Sequence, residues 1–193
     1  TLPQLAAHVR GALNAGATPL QVREAIYQCA PYIGYPKTLN AAATAAEVLA
    51  SAGVDLPLPE AATVAYEDRA AAGRAIQEPL YGDEVEQVFS ALPEPFNRVV
   101  PQLLTAGAFG EFETRGGLDV AMRELISLVA IAALGVAAQM RPHVAGAIRA
   151  GNSRQKVAAA LVQVLPYIGG PYALSGLVLV ATYDENDSSE AYR

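Results

Sequence analysis

The string "HVRGALNAGATPLQVREAIYQCAPYIGYPKTL" occupies residues 8–39 and returns as "HVAGAIRAGNSRQKVAAALVQVLPYIGGPYAL" at residues 143–174. An offset of 135 aligns the two without a gap, and fifteen of the 32 positions are identical. The shared residues include His8/His143, Gly11/Gly146, Gly16/Gly151, Gln28/Gln163, Tyr32/Tyr167 and Pro36/Pro171. Two copies are too few for a solenoid; they indicate a duplicated unit with internal pseudo-symmetry.

Each copy reads as helix, turn, helix, turn, helix. In the first, a helix over about residues 5–15 stops at Gly16, which takes the left-handed turn that helix ends favour. Thr18 caps the second helix, with Pro19 at its first position and apolar residues at Val22, Ala25, Ile26 and Cys29. Pro31 and Gly34 end it, and Pro36 begins the next. In the second copy Gly151 ends a helix, Ser153 caps the next, and "LPYIGGP" stops it. No stretch alternates with period two, so the expected class is all-α.

Working outward, the second copy has a long lead-in that includes "GLDVAMRELISLVAIAALG", an apolar helix over about residues 119–134 capped by Asp119. The first copy has no such helix ahead of it within the sequence, and a half-unit alone would leave an apolar face uncovered. The expectation is that an N-terminal part is missing or that another subunit covers the face. The proline-rich "VDLPLPE" serves as a linker, dividing the chain into lobes 1–57 and 58–193.

Bulk properties narrow the function classes. The 193 residues are 52% hydrophobic and 17% charged, which is globular composition. Net charge is −6 with no basic cluster, so nucleic acid and anionic membranes are poor partners. A single cysteine, Cys29, excludes an internal disulfide and a CxxC metal site, and fits a cytoplasmic setting. Residues 157–182 carry no charge, but Pro166, Gly169, Gly170 and Pro171 break the run into two buried helices joined by a rigid turn rather than a membrane span.

The only two histidines, His8 and His143, share one slot of the repeat. Glu124 lies 19 residues before His143, about 28 Å away on a straight helix at about 1.5 Å per residue. A bend at Gly135 and Pro142 folds the chain back and sets the carboxylate against the imidazole, an arrangement suited to acid–base work.

"YEDRAAAGRAIQEPLYGDE", "FGEFETRGGLD", "MRELISLVAIAALG", "HVAGAIRAGNS" and "QVLPYIGGPYA" together resemble the carboxymuconolactone decarboxylase family, which is related to alkylhydroperoxidase D. Residues 66–183 look like one complete unit of it, and residues 5–49 like the second half of another. The resemblance implies a duplicated alkylhydroperoxidase D-like helical fold with a partial first copy. It also implies assembly as a homo-oligomer, trimer or hexamer, with sites near subunit contacts. In the peroxidase-type members a Glu, a CxxC pair and a His follow in this order. Glu124 and His143 fall on the first and last, while the cysteine positions fall on Val136 and Gln139, so the dithiol (peroxiredoxin-type) route is opposed.

The decarboxylase-type members imply a lyase reaction on a small lactone or cyclic acid, without metal or organic cofactor. On that reading His143 supplies the proton and Glu124 orients it. Arg123, Arg141 or Arg115 holds a carboxylate, and Tyr167 and Tyr172 shape the pocket. His8 and Tyr32 are the first-repeat equivalents. Each residue also has a structural reading: His143 as a hydrogen-bonded core residue, Glu124 as an ion-pair partner, Arg115 as a helix-entry anchor, the tyrosines as packing, and Cys29 as a small core residue. Three functions therefore stand side by side: an acid–base lyase, a thiol oxidoreductase, and a non-catalytic helical assembly.

Overall fold

Helix signals in the sequence translate directly into a helical stack. The computed structural model describes residues 1–184; positions 185–193 of the second lobe lie outside the described residues. The first copy comprises α1 (Leu2–Asn14), α2 (Pro19–Gln28), α3 (Ala30–Ile33) and α4 (Tyr35–Ser51). After the linker come a 3₁₀ turn (Tyr66–Asp68), α5 (Arg69–Tyr81), α6 (Glu84–Phe89), α7 (Phe96–Leu103) and a π-helical segment (Leu104–Glu113). The second copy follows as α8 (Val120–Leu134), α9 (Ala137–Arg149), α10 (Arg154–Ile168) and α11 (Gly170–Thr182). No strand occurs among the described residues, and the class is all-α.

The expected caps form. The Thr18 hydroxyl accepts from the Gln21 amide while the Gln21 side chain accepts from the Thr18 amide, a reciprocal box. Asp119 accepts from the Met122 amide at 2.7 Å, and Ser153 from Lys156 at 3.2 Å. Gly135 takes φ 70° and ψ 25°, ending α8 so that α9 doubles back along it.

Three expectations change. α2 ends at Gln28, before Pro31, and α3 carries the proline in its first turn, where no N–H is required. α10 runs through Pro166 to Ile168, so Gly169, at φ 86°, is the true break. The uncharged stretch forms two helices as anticipated, but they are half-exposed rather than buried: Val162, Leu174 and Val178 face outward, and only Val157, Leu161, Ala173, Gly176 and Val180 are covered. Among the described residues no helix is long and apolar enough to cross a membrane.

Two cores result. One, under the second copy, joins Leu125, Leu128, Ile131, Met140, Val144, Val157 and Leu161. The other, in the first copy, joins Val9, Val22, Ala45 and Val48. α5 and the π segment lie unusually close because a Cβ on Gly73 would meet the Thr105 carbonyl and one on Gly110 the Arg69 carbonyl. That contact carries the C-terminal end of α5 to α9, where Arg149 donates to the Leu80 carbonyl at 2.7 Å.

The seam between the copies is polar and buried. Glu24 on α2, fully buried, accepts from Arg23 on its own helix and from Arg115 and Arg123 of the second copy. Burial alone would raise its pKa, but the hydrogen bonds and charge of Arg115, then of Arg23 and Arg123, hold it below the usual carboxylate range. Gln28 donates to Glu113 at 2.6 Å and to Ser127 at 3.1 Å, and accepts from Arg123 at 3.1 Å. A buried charge this well paired fixes register at the seam, since removing Glu24 would strand the arginines gathered on it.

Candidate active site

The α8–α9 turn brings Glu124 and His143 together, with Nδ1 of His143 3.8 Å from Oε2 of Glu124. That distance is too long for a direct hydrogen bond. A third group fills the space. The Tyr81 hydroxyl, at the last residue of α5, lies 2.5 Å from Glu124 Oε2 and 3.0 Å from His143 Nδ1. A hydroxyl has one proton to give. Given to Glu124, it leaves the Tyr81 oxygen to accept Nδ1–H from His143. The neutral imidazole then keeps its lone pair on Nε2.

Tyr81 is held in place on all sides. Its ring lies edge-on to Phe109, with centroids 5.6 Å apart, and to His143 at 5.5 Å. On α9, Gly146 gives the hydroxyl room: a Cβ there would overlap Tyr81 and come within 3.0 Å of Glu124 Oε2. The matching Gly11 of the first copy has nothing within 4 Å, because no counterpart of the Tyr81–Glu124 pair stands beside it.

Tyr32 comes from the first copy. Its ring stands edge-on to His143 at 5.6 Å and 82°. Burial, reinforced by Glu124 and Glu113, pushes its hydroxyl well above the ordinary tyrosine range. Tyr81 is raised in the same way by burial and then by Glu124. Both phenols therefore stay protonated at neutral pH. Glu113, close behind, is likewise pushed well above the usual carboxyl range, first by burial and then by the charge of Glu124. Its Oε2 has no partner.

Tyr32, Tyr81 and His143 border a cavity of 280 Å³ that is also lined by Phe109, Val136 and Gln139, among others. The wall is mainly apolar, with the imidazole, the tyrosines and the Gln139 amide as its polar points, which is the composition of a small-molecule site. Val136 and Gln139, where a dithiol pair would stand, both line it. Cys29 lies elsewhere; its thiol donates to the Ala25 carbonyl, and burial raises its pKa to about 11. Among the described residues no group of His, Cys, Asp and Glu could hold a metal ion.

The candidate residues from the sequence fall in five places. His143 and Tyr32 line the cavity, and Glu124 reaches His143 through the Tyr81 hydroxyl from behind that lining. Arg123 and Arg115 do not line it; both guanidinium groups are committed at the seam to Glu24, with Arg123 also donating to the Arg115 and Gly116 carbonyls. Arg141 is exposed on α9, away from the cavity lining. Tyr167 is 62% exposed and stands edge-on to the exposed His8, at 5.1 Å and 84°. Tyr172 sits at the Gly135 turn, outside the cavity lining. Tyr81 was not singled out from the sequence. A tyrosine ahead of a glycine is a faint signal, and only the fold brings α5 against α9.

The carboxymuconolactone decarboxylase family model matches residues 2–47 and 99–182. The chain belongs to the carboxymuconolactone decarboxylase family. The matched segments include Tyr32, Glu124 and His143, while Tyr81 falls in the unmatched stretch between them. No curated protein matches the chain by sequence.

Proposed function

We propose that the His143 cavity carries out cofactor-free acid–base chemistry of the lyase type on a small lactone or cyclic carboxylic acid. The observation behind this reading is the run His143 Nδ1, Tyr81 hydroxyl, Glu124 carboxylate, which steadies the imidazole and leaves Nε2 for substrate. In the reaction, the bond from the carbon skeleton to the carboxylate breaks and releases carbon dioxide. Its electron pair passes into the conjugated lactone, and His143, having taken a proton from solvent on Nε2, delivers that proton to carbon and returns to the neutral Nδ1–H form. The apolar wall favours loss of the carboxylate charge. With the seam arginines engaged on Glu24, His143 and the protonated Tyr32 hydroxyl are the groups that meet a substrate carboxylate.

A thiol peroxidase fits poorly, because Val136 and Gln139 stand at the cavity and the lone Cys29 lies outside it with its thiol pKa raised to about 11. The same reading takes the protein to work as a homo-oligomer, a trimer or hexamer, in the cytoplasm, with lobes 1–57 and 58–193 as its two units. The test is carbon dioxide release from carboxymuconolactone and related lactone acids. Turnover by the wild type that is lost in His143→Ala supports the reading. No release from any of them removes this substrate class.

A further inference from the structure

A second cavity, of 420 Å³, opens in the first lobe, separate from the His143 site. Its walls are α2, α4 and the linker: Ile26, Ala46, Leu49 and Leu56 supply apolar surface, and Tyr27 and Arg23 supply the polar edge. The linker is fastened over it by Arg23, which donates to the Leu58 carbonyl at 3.3 Å. Such a volume lies within the range of small-molecule sites, roughly 300–1,000 Å³.

The charge beside this cavity is positive by one, with three arginines against two carboxylates. Arg23, Arg115 and Arg123 converge on the single buried carboxylate of Glu24, and Glu60, 75% exposed, adds a contact to Arg115 at 3.3 Å. The Tyr27 ring lies against two of these cations, 5.7 Å from the Arg23 guanidinium and 5.2 Å from that of Arg115. Of the five N–H donors on Arg23, two go to Glu24 and one to Leu58, leaving two. The feature is not inherited from the repeat. At the matching places of the second copy, Arg23 is replaced by Ala158 and Tyr27 by Val162.

We propose that this cavity binds a small organic carboxylate with an apolar body. The body fills the space between Ile26, Ala46 and Leu49, and the carboxylate takes the two free donors of Arg23. A guanidinium offers a carboxylate parallel donors, and its excess positive charge at a partly dry site favours an anion over a neutral molecule of the same shape. A phosphorylated ligand fits less well, since a single cation faces an otherwise apolar wall.

The probe is octanoate, with octanamide as its neutral counterpart, titrated by calorimetry into the full chain. The proposal expects saturable one-to-one binding of octanoate and at least tenfold weaker binding of octanamide. Arg23→Gln should weaken octanoate at least tenfold while bringing the two probes level; the fold survives because Glu24 keeps Arg115 and Arg123. Ala46→Phe should abolish binding of both by filling the cavity, and unchanged helical circular dichroism reports that each variant is folded. Equal binding of the two probes by the wild type would overturn the proposal. So would octanoate binding that persists in both folded variants, as expected if it entered the His143 cavity instead, and so would no binding at all.

Discussion

Tyr32 of the first copy stands edge-on to His143 of the second, and the relation is returned: Tyr167 of the second copy stands edge-on to His8 of the first. The centroid distances are 5.6 and 5.1 Å and the interplanar angles 82° and 84°. The duplicated string therefore builds two crossed histidine–tyrosine pairs. Only one of them is completed by a carboxylate and a second phenol. The His8 pair is exposed, so substituting His8 should leave turnover at the His143 site unchanged, measured with the same substrate panel.

Tyr81→Phe removes one hydroxyl and with it both bonds of the relay. Glu124, 1% exposed and with Oε1 already unpartnered, then has no hydrogen bond at all. Thermal unfolding should show a loss of about 1–3 kcal/mol, the cost of an unsatisfied buried polar group. Turnover should fall by about 10²-fold, the lower end of what a positioned acid–base group contributes.

Two glycines in the same repeat slot should respond in opposite directions. Gly146→Ala drives a methyl group into the Tyr81 hydroxyl, and should destabilise the protein by about 1–3 kcal/mol, with loss of activity. Gly11→Ala meets open space on an exposed turn of α1, and should stabilise by about 0.5–1 kcal/mol through helix propensity. Denaturant melts of the two variants report both.

Glu24→Gln takes the charge from the point where three arginines meet, and should cost about 3–5 kcal/mol. Because the folded-state pKa of Glu24 lies below its ordinary value of 4.5, its contribution is present above that value and is lost as the pH falls through the folded pKa. Wild-type stability should thus decline on the acid side, and the variant should lack that part of the decline.

Glu113 gives the opposite sign. Its folded-state pKa is raised well above 4.5, so its contribution is full below the ordinary carboxyl range and drains away as the pH rises towards the folded value. Glu113→Gln keeps a neutral group of the same shape. The variant should gain on the wild type as the pH is raised above about 4.5, seen as a flatter plot of unfolding free energy against pH.

The caps, the glycine stops and the repeat were legible because each depends on a few adjacent residues. Thr18, Asp119, Ser153 and Gly135 act as their local sequence indicates. The meeting of Glu124 with His143 was legible too, since one bend between two helices suffices. What escaped depends on distant packing. Arg115 and Arg123 read as candidates for a substrate carboxylate, with Arg115 also as a helix-entry anchor, yet Glu24 of the other copy, about a hundred residues away, claims both. Tyr81 gains its place only when glycines 73 and 110 let α5 press against the π segment. The half-exposure of α10 and α11 was hidden as well, because an uncharged helix in sequence does not state how much of it is covered.

The central claim is that Tyr81 and Glu124 fix the imidazole of His143 with its proton on Nδ1 and its lone pair on Nε2. Nitrogen-15 NMR of the two histidines, assigned with His8→Gln, reads this directly, with no substrate required. The account predicts that neutral His143 in the wild type is the Nδ1–H tautomer, and that Tyr81→Phe releases this preference. An Nε2–H tautomer in the wild type, with the Tyr81 hydroxyl donating to Nδ1, would contradict it.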